Sequence, residues 1–174
     1  MRILLAGFLF LLSCSTAKVV KTDKVAGVNF QSFKTFGFYK LEATGDTSSK
    51  FDFYSSLLKQ AIARELTAKG YTQTSSDPDL LVNLGVVVKE ETQTRQTDIR
   101  EAPRYIGQRR YTWKSEEVPV GQYKTGTATV DLVESKQNRM VWQGTLEGII
   151  PGNRKTYEKE INKGVTALFA KFPD

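Results

Sequence analysis

"GTATVDLVESKQNRMVWQG", residues 126–144, holds two runs that alternate with a period of two around a polar middle. In the first, Ala128, Val130 and Leu132 share one side, while Thr127, Thr129 and Asp131 take the other. Successive side chains of a strand point to opposite faces, so this run predicts a half-buried strand. In the second, Met140 and Trp142, continued by Leu146, supply an apolar face, with Gln143, Thr145 and Glu147 opposite. Residues 136–138 form the turn. The whole reads as an antiparallel hairpin, greasy on one side and polar on the other. A sheet built on it needs helices on the apolar side and leaves the other side open.

The flanking segments supply those helices. "FDFYSSLLKQAIARELTAKGY", residues 51–71, places Tyr54, Leu57, Leu58, Ala61, Ile62 and Leu66 on one stripe, with Lys59, Arg64 and Lys69 facing away. Asp52 is placed to cap this helix, and Gly70 to take the left-handed position that ends it. "NRKTYEKEINKGVTALFAKF", residues 153–172, repeats the helical spacing with Tyr157, Ile161, Val165, Leu168 and Phe169. Asn153 caps it and Pro173 stops it.

Further strands precede the hairpin. "TFGFYKL", residues 35–41, alternates, with Phe36 and Phe38 on one side. In "LLVNLGVVVKEETQTRQT", residues 80–97, the first half is apolar at nearly every position, which predicts a central strand covered on both faces. From Lys89 it turns charged and runs out into solvent. Asp77 and Asp79 flank Pro78, where a turn and the start of that strand account for them. Residues 97–120 hold two prolines and mixed charge; they read as a long excursion, or as a two-stranded flap. The expected fold class is α+β: one mostly antiparallel sheet of four to five strands with two helices packed on one face. Residues 29–174 form that single domain, and residues 14–28 a polar tether with room for a short strand at 18–21.

The N-terminus has a different character. Met1 and Arg2 precede ten apolar residues and Ser13, the layout of a secretory signal over residues 1–13. Ten residues of helix span about 15 Å, half a hydrocarbon core, too short to cross a bilayer. "LLSC", residues 11–14, resembles the lipobox of bacterial lipoprotein precursors, in which the cysteine thiol receives a diacylglyceryl group and becomes the new N-terminus. That resemblance makes Cys14 the lipid attachment point, with several acyl chains for stable anchoring. Ser15, Thr16 and Ala17 offer the rival cut, by ordinary signal peptidase after Ala17. Cys14 abuts the apolar run directly, which favours the lipobox. The expected location is the cell envelope: exported, anchored in the outer membrane, facing the periplasm or the surface.

Composition closes several functional routes. The chain of 174 residues has no histidine and one cysteine. The commonest general base, the commonest zinc ligand and any internal disulfide are thereby absent. No glycine-rich nucleotide motif occurs, and Lys69, Gly70 and Tyr71 read as a helix stop. No cofactor and no metal is expected, and the protein is read as non-enzymatic. A net charge of +6 favours anionic partners.

"DPDLLVNLG" (residues 77–85), the hairpin, and "LFAKFP" (residues 168–173) closely resemble the bacterial lipoprotein family known as domain of unknown function 4136. Its landmarks recur in order: Thr35 and Phe36; Lys69 to Tyr71; Asp79 to Val82; Gly126 to Asp131; Val141 to Gly144; Phe172 and Pro173. The resemblance spans residues 29–173 and implies a lipid-anchored envelope protein. It carries over no catalytic residue. Relatives often have a Gly- and aromatic-rich middle loop, where this chain has "REAPRYIGQRRYTWK", residues 100–114.

Three functional readings follow from these residues. The first is a lipid-anchored binding or assembly module that engages another envelope protein through the open polar sheet face or the long loop. The second is an anion or glycan binder through the basic-aromatic loop 95–114. There Arg95, Arg100, Arg104, Arg109, Arg110 and Lys114 interleave with Tyr105, Tyr111 and Trp113. Arginine forks and stacking rings suit acidic lipid headgroups or envelope polysaccharide, and an exported protein does not meet nucleic acid. Against it, Asp98, Glu101, Glu116 and Glu117 offset the charge. The third is a carboxylate-dependent hydrolase, with Asp131 and Glu147 near each other across the hairpin; their polar face is a poor place to raise a pKa. Trp142 reads as core filling. The sequence sets no oligomeric state.

Overall fold

A computed structural model describes residues 17–45, 51–101 and 114–173. Its elements are β1 (Lys18–Lys24), β2 (Thr35–Gly45), α1 (Phe51–Ala68), β3 (Thr72–Gln73), β4 (Leu80–Gln96), β5 (Glu117–Glu134), β6 (Arg139–Ile150) and α2 (Arg154–Phe169). The strands form one sheet in the order β1-β6-β5-β4-β2-β3. The class is α+β, as expected, but the sheet has six strands and is mixed. β2 runs parallel to β4 and to β3, whereas β4, β5, β6 and β1 alternate. The reason is α1. A helix that follows β2 and buries its stripe on the sheet returns the chain at the starting edge, which forces the next strand to run parallel.

The hairpin register matches the alternation read from the sequence. Thr127 pairs with Glu147, Thr129 with Thr145, Asp131 with Gln143, and Leu132 with Trp142. Asn138, at φ 47°, closes the turn in the left-handed region that asparagine tolerates. One residue departs from the expected pattern. The register shifts between Leu132 and Val133, so that Val133 faces Met140 and Val141 becomes the extra residue of a β-bulge. Val141 and Trp142 are both buried, and Met140 is turned to the open face at 42% exposure.

The core lies between the sheet and the two helices. Leu58, Ile62 and Leu66 of α1 meet Val82, Leu84, Val130 and Leu132 of the sheet, with Val165, Leu168 and Phe169 of α2 beside them. Trp142 packs against Phe169 and Phe172 at centroid distances of 5.4 and 5.2 Å, so the core-filling reading holds. α1 ends as Gly70 predicts: Gly70 N donates to the Thr67 carbonyl and Tyr71 N to the Leu66 carbonyl, with Gly70 at φ 95°. This double bond with a buried Leu66 and Tyr71 is a Schellman stop. Asn153 caps α2 through Oδ1, which accepts from Lys155 N and Thr156 N. Asp52 is not outside its helix; it sits within the first turn, where its charge faces the positive end of the helix dipole.

β4 is covered on one face only. Leu80, Val82 and Leu84 are buried under the helices, whereas Leu81 and Asn83 are half-buried and Val87 is 37% exposed on the other side. Both helices pack on the same side, so its continuous apolar run exceeds what burial requires. Within the segment read as a tether, β1 pairs with β6 from Lys18 opposite Glu147 to Lys24 opposite Trp142. It is longer than the short strand the sequence allowed. The excursion is narrower than expected. Residues 89–96 of β4 pair with 117–125 of β5 as a two-stranded ribbon, closed at its tip by Thr97 N donating to the Glu116 carbonyl.

Candidate functional site

The basic loop begins at the tip of this ribbon. Arg95 and Glu101 form a two-pronged ion pair, with Nη2 to Oε2 at 2.9 Å, and each holds the other's charge on. The hydrogen bond from the Arg95 guanidinium lowers the pKa of Glu101, and the same bond to the carboxylate raises that of Arg95. One of the loop's cations is therefore already matched by an acid of the same loop. Arg104, Tyr105, Arg109, Arg110, Tyr111 and Trp113 lie outside the described residues, as does Cys14.

The carboxylates of the hairpin do not form a pair. The register puts Asp131 opposite Gln143 and Glu147 opposite Thr127. Four residues along an antiparallel strand are roughly 14 Å, beyond the roughly 5–9.5 Å that a glycosidase pair spans. Asp131 instead accepts from Gln143 Nε2 at 2.8 Å. Among the described residues no group of three or more Cys, Asp or Glu side chains is placed to hold a metal ion.

What these strands do assemble is a polar surface on the side away from the helices. Across β2, β4, β5 and β6 one row reads Lys40, Asn83, Asp131, Gln143. The next holds Glu42, Gly85, Thr129 and Thr145, with the two threonine hydroxyls 3.4 Å apart. A third reaches Glu147, whose carboxylate lies 3.5 Å from Lys18 Nζ on β1. In the first row Asn83 Oδ1 is buried and has no hydrogen-bond partner among the described residues. Sequence reading found this face; it did not find the orphaned carbonyl, because Asn83 sat in a run read as apolar.

A second feature went unseen in the sequence: an apolar cleft of about 260 Å³ on the helix side. Its floor is the end of the sheet beyond the core, where Gly126, Ala128 and Gly148 leave space. Its walls are the first two turns of α1 and α2, with Leu58, Tyr54 and Tyr157 prominent. The Tyr54 and Tyr157 rings lie 4.2 Å apart, and burial pushes the Tyr157 phenol up to about 12. Lys124 and Glu160 fringe the opening, and Ala17 stands at its edge. No spacing rule marks such a cleft; it arises because strands outrun helices over small residues.

This constellation is a two-layer α+β domain with an open polar sheet face and an apolar cleft under its helix ends. Residues 20–174 match the family Domain of unknown function (DUF4136), and the chain belongs to that family. Comparison with curated proteins gives no match. Among solved structures, a PDZ domain protein from Parabacteroides distasonis is similar at 18% identity and TM-score 0.52, over 92% of this chain. The chain spans 38% of that protein's length, and at this identity the likeness shows the fold alone. A PelC dodecamer from Paraburkholderia phytofirmans is similar at 11% identity and TM-score 0.46, over 87% of this chain and 96% of the other. A protein described as a neuraminyllactose-binding hemagglutinin homolog from Helicobacter pylori is similar at 14% identity and TM-score 0.44. It is matched over 83% of this chain and 85% of the other. Among the described residues no helix is long and apolar enough to cross a membrane.

Proposed function

We propose that this chain is a lipid-anchored protein of the cell envelope, held through Cys14, whose domain is a non-enzymatic binding or assembly module. The contact surface is the open polar sheet face, and the partner is another envelope protein. The observation that carries this reading is the row of Lys40, Asn83, Asp131 and Gln143, with the unpaired Asn83 carbonyl inside it. An orphaned buried acceptor costs about 1–3 kcal/mol. A fold keeps such a group where function requires it. The lipobox resemblance at residues 11–14 supports the anchor.

Two measurements test the reading. In cells fed labelled fatty acid, the wild type takes up label and sediments with membranes, and Cys14→Ala does neither; an unlabelled, soluble wild type refutes the anchor. A photo-crosslinking residue at position 129 of the anchored protein is expected to capture one discrete envelope protein. Capture of nothing from position 129, 145 or 147 removes the sheet face as the contact surface. The reading as an anion or glycan binder through loop 95–114 is less well supported, because Glu101 already engages Arg95.

A further inference from the structure

The cleft under the helix ends is chemically unlike the polar sheet face, and nothing in the module reading uses it. Its floor and walls are hydrocarbon: Leu58, Val86, Ala128, Leu146, Ile150 and the faces of two tyrosines. The charged side chains on this side are Lys124 and Glu160. An apolar body beneath a polar rim suits an amphiphile with its head at the opening. A cavity of about 150 Å³ lined by aliphatic and aromatic groups holds one benzene. By that scale, 260 Å³ takes about ten carbons, a length of alkyl chain. Among the described residues a second copy of this domain offers no such insert, since the exposed large apolar side chains, Val20, Tyr39, Val87, Val120, Tyr123, Met140 and Ile149, are scattered over strands.

The position of the cleft says where the chain would come from. Ala17 stands at its edge, where its Cβ lies 3.0 Å from the position a Cβ on Gly164 would take. Ala17 is three residues along the chain from Cys14, at most roughly 11 Å when extended. With Cys14 in the bilayer, the mouth of the cleft is held within a lipid's length of the membrane surface. We infer that the cleft takes one acyl tail of a glycerophospholipid from the membrane to which the protein is tethered. The source of the lipid rests on the anchoring proposed above; the apolar chemistry rests on the cleft alone.

The test uses the full chain in vesicles of phosphatidylethanolamine and phosphatidylglycerol that carry a trace of phospholipid with a diazirine in its acyl chain. After irradiation, the tryptic peptides 125–136 and 140–154, which hold the cleft floor, are expected to carry the adduct. Ala128→Phe, which fills the floor, and Ile150→Asp, which puts a charge at the rim, should each abolish it. Circular dichroism and melting show which of the two remains folded, and either one suffices. Adducts spread evenly over the surface, or unchanged by a folded variant, overturn the inference. So does a cleft that stays unlabelled in the wild type but becomes labelled in Cys14→Ser, since the chain's own lipid then fills it. Intact mass of the same preparation reports the lipid on Cys14, so a failed anchor and a failed cleft are separately visible.

Discussion

At Asp79 one carboxylate fastens the starts of two parallel strands. Its Oδ2 accepts from Lys34 N at 2.8 Å, Thr35 N at 3.1 Å and the Thr35 hydroxyl at 3.1 Å, while its own amide donates back to Thr35 Oγ1 at 2.9 Å. The Lys34 amide is the main cause that holds the carboxyl below its ordinary value of 3.8, with the Thr35 groups and the charge of Lys136 adding to it. A carboxyl depressed in the fold stabilises it above the unfolded pKa, about 3.9. That stability is lost as pH falls through the lower folded value. Asp79→Ala is therefore expected to cost about 2–3 kcal/mol at neutral pH. It should also flatten the loss of stability below about pH 4, measured by urea titration at a series of pH values. Asn83 predicts the opposite sign. With its orphaned carbonyl replaced, Asn83→Leu should leave stability unchanged or raise it by about 1 kcal/mol, while crosslinking from position 129 is lost. A clear loss of stability would mean that Asn83 is structural.

Two glycines separate backbone from packing effects. A Cβ on Gly70 meets nothing within 4 Å, so Gly70→Ala tests the left-handed conformation alone. About 1–2 kcal/mol is expected from that source. A Cβ on Gly144 would lie 2.6 Å from Trp142 Cη2 and 2.7 Å from Leu168 Cδ1, where α2 crosses the sheet. Gly144→Val should cost about 3 kcal/mol or more by overpacking, and thermal melts of the two variants distinguish the mechanisms. The same elements show how far sequence reading reaches. Helix ends were legible at Gly70 and Asn153 because turn and cap chemistry is local. The hairpin register was legible because one face had to be greasy. Strand direction in β2 and β4 was not, since alternation reads the same both ways. The bulge at Val141 was not either, because nothing in the residues marks where a period of two slips by one. The open polar face was therefore foreseeable from Thr127, Thr129 and Asp131, and the cleft was not.

Across the molecule, order is graded from the core outward along the strands. Near the helices β4 and β5 lie under Leu58, Ile62 and Leu66; beyond Lys89 they continue as a ribbon whose β4 residues 89–96 are all exposed or half-buried. Local opening follows few buried contacts and exposed backbone hydrogen bonds. Amide hydrogen exchange should therefore be fast at residues 90–96 and 117–123 and slowest at Val82, Leu84, Val130 and Leu132. Uniform protection along both strands would show that the loop end is anchored by something other than this ladder. The opposite edge has its own mechanical character. β1 is bonded to β6 alone, and its first pair, Lys18 with Glu147, stands beside Ala17 at the mouth of the cleft. Antiparallel ladder bonds lie across the strands. Tension drawn along β1 loads all of its rungs together in shear, whereas tension drawn outward from the sheet peels them singly from Lys18. The domain thus grips its N-terminal leash firmly in one direction and yields rung by rung in the other.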